Sequence, residues 1–166
     1  MRHQPSAASI HRVVTPAPAQ ILLFVHLLGV VLWVGSFITY PFWTHAAKRR
    51  GGETVAFAYQ ALVRINLFVT MPGYWLAIAG GVGLVVVSPA YHGSQPIWLV
   101  FMEVVGIVLF VLAIGLFDRR QRQLARLAAS GDQAAFKAMD RQHAVTASIA
   151  GVLMLAVLAV ATVKPG

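Results

Sequence analysis

The chain has 166 residues, of which 58% are hydrophobic and only 11% charged, with a formal net charge of +8 and a mean hydropathy of +0.74. So apolar a composition excludes an ordinary soluble domain. The absence of cysteine excludes disulfides, thiolate metal sites, iron–sulfur clusters and thioether-attached c-type haem.

Residues 1–19, with Pro5, Pro16 and Pro18 among polar residues, lack the apolar core of a cleavable signal and read as a flexible segment outside the membrane. The domain proper, 20–166, contains four apolar runs at 20–43, 65–88, 97–117 and 144–163. Each reaches the roughly 20 residues that a helix needs to cross about 30 Å of hydrocarbon. The first run is full length and is followed by Lys48-Arg49-Arg50, so it is expected to stay as an anchor. The fold class predicted is therefore all-α, an integral membrane up-down four-helix bundle.

Charge placement predicts its orientation. Lys48, Arg49, Arg50 and Arg64 flank the first connection, and Arg119, Arg120, Arg122, Arg126, Lys137 and Arg141 crowd the third, whereas 89–96 holds neither lysine nor arginine. The basic connections are expected in the cytoplasm and both termini outside, with Arg2, Arg12 and Lys164 as the outer minority. The expected location is the bacterial inner, or plasma, membrane.

Gly51-Gly52 before Glu53-Thr54 signals a turn and a helix start, so the second helix should begin well before its apolar part. Pro72 inside that helix removes a backbone donor and predicts a kink. Gly73, Ala77 and Gly81, like Ala147 and Gly151, fall at four-residue spacing that permits close helix approach. Gly131 is placed to end one helix in a left-handed conformation and Asp132 to cap the next, so helices three and four should project beyond the bilayer. The Arg119 to Arg126 stretch reads as a solvated face attracted to anionic lipid. Tyr40, Trp43, Tyr91 and Trp98 read as interfacial depth anchors.

An ionisable side chain inside a span is costly and marks a ligand site, a proton path or an interhelical bond. His26 is six residues into the first span and Glu103 six residues into the third, which puts both about 9 Å below the same edge of the hydrocarbon. Glu103 is the only acid in any span and His26 the only deep histidine. They are candidate partners, either as structural glue or as ligand, orienting group or proton relay. Gly29, Trp33 and Ser36 continue the face of His26, and Gly80, Gly81 and Gly83 leave room that suits either a flat macrocycle or close helix packing.

Haem b held by two histidines needs a second imidazole at this level, and the span residues offer none. His92 folding back, a homodimer supplying a second His26, five-coordinate iron or a different axial ligand are the alternatives. His3, His11, His45 and His143 read as interfacial or terminal side chains. Copper is the other metal, with His26, Met102 and Met154 as imidazole and thioether donors, although methionine is more often packing material. No phosphate loop, nucleophile elbow or zinc motif is present, and nothing suggests nucleic-acid readout.

The pattern His26-x-x-Gly29-x-x-x-Trp33-x-Gly35, with Pro72-Gly73 in the second span, resembles the CopD-like small four-helix integral membrane proteins of unknown function, and more distantly the HemJ-type protoporphyrinogen oxidases. The resemblance implies a bacterial inner-membrane bundle in which His26 is a haem or copper ligand. HemJ-type proteins rely on a lysine in a later span, where helix three has Glu103. The expected function is thus binding of haem b or another metal centre near the outer face, with cofactor contacts from His26, Gly29, Trp33 and Glu103, for electron transfer or cofactor handling. The alternatives are copper transport through His26 and Met154, or a cofactor-free structural subunit. The expected partners are the lipid bilayer and either a redox partner or a second copy.

Overall fold

A computed structural model describes residues 17–89 and 92–164; the amino-terminal segment with His3, His11, Arg2 and Arg12, and the anchor residue Tyr91, lie outside the described residues. The described residues form four long rods: α1 (Ala17–Arg50), α2 (Glu53–Val87), α3 (Ile97–Ser130) and α4 (Gln133–Val163). All four are long and apolar enough to cross a membrane, and their outward faces expose large apolar side chains such as Phe24, Val31, Phe68, Val104 and Val152. With no water at that depth, an α-helix satisfies its own backbone groups, which is why these runs fold as helices. The protein is a multi-pass membrane bundle. At about 1.5 Å per residue the 34 residues of α1 span roughly 51 Å, well beyond the hydrocarbon.

The connections follow their local chemistry. Gly51 and Gly52 take positive φ values of 71° and 55°, a region open to glycine without a Cβ penalty. Gly131 ends α3 with φ 78°, and the Asp132 carboxylate accepts the Ala135 backbone N–H at 3.0 Å, as the spacing of these residues predicts.

Helices α2 and α3 each contain one π-helical turn, Asn66–Thr70 and Ala113–Phe117, in which Met71 N–H reaches Asn66 O and Asp118 N–H reaches Ala113 O. Pro72 lies two residues after the end of the first of these, and the carbonyl it cannot serve, that of Phe68, lies inside the wide turn. The second turn has no proline near it. Both turns serve inward-facing residues at strict four-residue spacing: Leu62, Asn66, Thr70 and Tyr74 on α2, and Leu109, Ala113, Phe117 and Gln121 on α3. In a straight α-helix each such step overshoots a turn by about 40°. A turn with more residues cancels that drift and keeps the stripe pointing inward.

Sequence neighbours pack side by side, so α1 lies diagonal to α3, and α4 closes the ring against α1 only sparsely. The tightest seam is between α1 and α2. A Cβ added at Gly29 would sit 2.2 Å from the Ala77 backbone nitrogen, one at Gly73 2.9 Å from Trp33 N, and one at Gly80 2.6 Å from His26 N. Gly80, rather than Gly81, continues the Gly73–Ala77 seam; Gly81 instead faces the His26 ring. On α4, a Cβ added at Gly151 would lie 3.2 Å from the Phe37 ring. All four helices contribute to a central core that includes Trp33, Tyr74, Ala77, Leu109, Ala113, Ala150 and Met154. A second, smaller core joins Tyr59, Leu124, Ala125 and Phe136 where the rods extend at the basic end.

Replacing Gly29 by Ala should destabilise the bundle by about 1–3 kcal/mol, because a backbone has to move to admit the methyl group. Gly106→Ala, with open space around it, should change stability by less than about 0.5 kcal/mol. Reversible unfolding of both variants in detergent compares them.

Candidate functional site

The residues singled out in the sequence fall in two places. His26 is half-buried on the α1–α2 seam, its Nδ1 at 2.7 Å from the Ala77 carbonyl oxygen. A carbonyl can only accept, so Nδ1 carries a proton and donates it to Ala77 O. The glycines around it are not a slot for a ligand. Gly80 and Gly81 are filled by His26 itself, and the space at Gly83 is filled by Leu22. A macrocycle between α1 and α2 does not fit, because the two backbones already touch there.

Glu103 is half-buried on α3 and makes no hydrogen bond or ion pair among the described residues. The expected His26–Glu103 pair is therefore not formed. Equal depth did not imply facing sides, since α1 and α3 are diagonal. His92 donates from Nε2 to the Val86 carbonyl at 2.8 Å and so turns onto the end of α2. Among the described residues no group of three or more His, Asp or Glu side chains gathers as a metal-ion site. Met154 packs in the central core with Trp33 and Tyr74.

Trp33 and Met154 belong to a second place, a cavity of about 250 Å³ running inside the bundle toward its basic end. One stripe from each helix builds it. Trp33, Phe37, Tyr40, Pro41, Thr44 and Lys48 come from α1; Tyr59, Leu62, Asn66, Thr70 and Tyr74 from α2; Leu109, Ala113, Phe117, Gln121 and Leu124 from α3. From α4 come Asp140, His143, Met154 and a run of small residues, Ala144, Ala147, Ser148, Ala150 and Gly151.

Polar groups on this wall are mostly paired. Tyr40 and Thr70 share a hydrogen bond of 3.1 Å. Asn66 donates to Asp118 at 2.8 Å and so ties the two π turns together, while Arg122 pairs with the same carboxylate at 3.0 Å. At the basic end, Asp140 accepts from Tyr59 on one oxygen and from Lys48 on the other. Tyr59 lies outside the apolar span 65–88, and burial, reinforced by Asp140, pushes its hydroxyl well above tyrosine's ordinary value. It therefore stays a neutral donor. Burial likewise draws His143, one residue before the span 144–163, below histidine's ordinary value; Asp140 opposes this, and Arg120 and Lys48 add to it.

Among the described residues, two buried side-chain polar atoms are left without a hydrogen-bond partner, the Tyr74 hydroxyl and His143 Nδ1. Tyr74 is 1% exposed and lies edge-on to Trp33 and Phe110, with ring centroids 5.7 Å away in each case. His143 packs edge-on to Phe117 at 5.6 Å. Orphaned buried hydroxyls are uncommon and call for a ligand, a water or a role.

Tyr40 and His143 are thus cavity residues and not surface anchors, whereas Trp43 and His45 are exposed as expected. Trp98 is half-buried, with the Lys164 ammonium 5.7 Å from its ring. Arg119, Arg122 and Arg126 are exposed, as a solvated face requires, while Arg120 turns to donate to Thr146 at 3.2 Å. The signal that points to the cavity is the series Asn66, Thr70 and Tyr74 at four-residue spacing within the otherwise apolar stretch 65–87, with Tyr59 further toward the basic end. No protein-family model, curated protein or solved structure matches the chain.

Proposed function

We propose that this protein is a multi-pass protein of the bacterial inner membrane, basic end in the cytoplasm and termini outside, that holds a small ring-bearing molecule in the bundle cavity. It belongs on this reading to the cofactor-handling or electron-transfer class, in keeping with its resemblance to CopD-like four-helix proteins. One observation carries it: a cavity of about 250 Å³ inside the bundle is walled by aromatic rings and small side chains from all four helices. Volume agrees with a single ring, since about 150 Å³ suffices for benzene in an apolar protein cavity and this one offers about 250 Å³. Aromatic walls from Trp33, Phe37 and Phe117 supply the flat contacts that such a ligand needs.

A second reading, a metal centre at His26, is favoured by the bond from Nδ1 to Ala77. Metal-ligating histidines commonly donate their other ring N–H to a carbonyl, which fixes the ring and raises the basicity of the ligating nitrogen. His26 Nε2 would then be the ligand. Haem b would supply one-electron chemistry and copper a transported ion. The bundle offers haem no interhelical slot, so a haem at His26 belongs on the outside of the α1–α2 pair. Met154, packed in the central core, belongs to the other place and is no part of a copper site at His26.

The cavity reading predicts saturable binding of decylbenzene by the detergent-purified protein, lost in Ala147→Phe, where the new ring fills the wall; unchanged binding in that variant would sink it. The orientation predicts that S130C reacts with an impermeant maleimide only in inverted vesicles and S94C only in right-side-out ones, and the reverse pattern would invert the topology. The metal reading predicts a Soret band or stoichiometric copper that disappears in His26→Ala, and metal-free protein from replete cells would remove it.

A further inference from the structure

We infer that the cavity opens sideways into the bilayer through a window between α1 and α4, and that its ligand is a neutral, lipid-soluble molecule drawn from the membrane; this rests on the cavity reading above. The window is framed by two contacts on a seam that is otherwise sparse. Deeper in the span the Phe37 ring meets Gly151, where an added Cβ would lie 3.2 Å from it. At the basic end Lys48 pairs with Asp140. The two contacts are eleven residues apart on each helix, which at about 1.5 Å per residue is roughly 16 Å. Between them the antiparallel register sets Thr44 level with Ala144 and Pro41 level with Ala147. From Ala144 to Gly151 every side chain that α4 gives to the cavity wall is small.

Exposure singles out the same gap. Every cavity-lining residue of α2 and α3 is buried or half-buried, whereas Pro41 and Lys48 on α1 and Ala144 and Ser148 on α4 are exposed. Pro41, Ala144 and Ser148 lie within the apolar runs 20–43 and 144–163, so the window looks onto lipid. The ends of the cavity are shut by comparison. Past Lys48 and Asp140 the rods are packed by the second core, in which Tyr59, Leu124 and Phe136 are all buried. The deep end stops at Trp33, Tyr74, Leu109 and Met154, which are buried as well.

The route selects the ligand's charge. A molecule that arrives through hydrocarbon arrives neutral, because an isolated ion is far too costly to bring there. The wall agrees with this. Of the ionisable groups that line it, Lys48 and Asp140 neutralise each other, Tyr59 stays a neutral donor to Asp140, and burial draws His143 toward its neutral form. No lining charge is left to serve as the counter-ion of a charged ligand.

The experiment places the full-length protein in vesicles of phosphatidylethanolamine and phosphatidylglycerol and follows uptake and release of tritiated decylbenzene. Uptake should track the mole fraction of decylbenzene in the bilayer, falling as lipid is added at a fixed amount of ligand, and decylbenzenesulfonate should not compete. Ser148→Trp puts a bulky ring at an exposed position of the window and should slow uptake and release alike, each about tenfold. Val104→Trp, on the lipid face of α3, should slow neither. A change in the wall of a site acts mainly through release, so faster release with unchanged uptake in Ser148→Trp overturns the window. Unchanged rates in that variant, or equal competition by the sulfonate, overturn the inference while leaving a ring-binding cavity. Binding in detergent that is lost in vesicles does the same, because acyl chains then fill the opening. No saturable binding of decylbenzene in detergent overturns both.

Discussion

The bundle depends on the place where the α1 and α2 backbones meet. Lipid tails are as apolar as the helix faces, so burial of hydrocarbon does not by itself drive these helices together in the membrane. Close van der Waals contact must do it. Gly29, Gly73 and Gly80 lie where a side chain would collide with the opposing backbone, and the seam they form is the most extensive in the molecule. The bond from His26 to Ala77 lies on this seam and fixes the register of one helix against the other. The positions of Trp33 and Tyr74, one from each helix and in edge contact, follow from that register.

From that rigid pair the interior changes character along its length. Near His26 the helices are pressed together. Toward the basic end they are lined by rings and hydroxyls around open volume. The two π turns mark this transition on α2 and α3, and Asn66 and Asp118 bind them to one another. An exposed asparagine–carboxylate bond contributes little, but one at the edge of the hydrocarbon replaces water that is no longer present. Beyond it, Tyr59, Lys48 and Asp140 close the basic end with charge that sums to zero within the cluster. Wide turns, a polar tie and a neutral ion pair together keep space open in a fold whose packing otherwise closes it.

The spans, the helix caps and the small-residue seam were legible in the sequence because each depends on local chemistry. A run of twenty apolar residues, Gly131 before Asp132, and Gly73 four residues from Ala77 carry their meaning within one or two turns. The facing of helices is a different matter. His26 and Glu103 share a depth, yet the ring order of the bundle sets α1 across from α3, and no one-dimensional count of residues encodes that order. Tyr40 and His143 resembled interfacial residues for the same reason: depth placed them near the boundary, but only azimuth decides whether a ring looks out to headgroups or in to a cavity. The stripe from Leu62 to Tyr74 was in principle readable. Its four-residue spacing drifts off any single face of a regular helix, and only the π turn brings it back.

The weak closure between α1 and α4 has a consequence for how the molecule is made. Among the described helices α1 comes earliest in the chain and α4 latest, so the wall between them is finished only after α4 is inserted. Until then the stripes on α1, α2 and α3 form an open trough facing lipid, with Tyr59 already against Leu124 and Ala125. The α1–α2 pair and its glycine seam need nothing from later segments and are free to form while the rest is still being synthesised. Assembly thus runs from the most closely packed contact to the loosest. The interior is sealed last, on the side where a membrane-borne molecule would arrive.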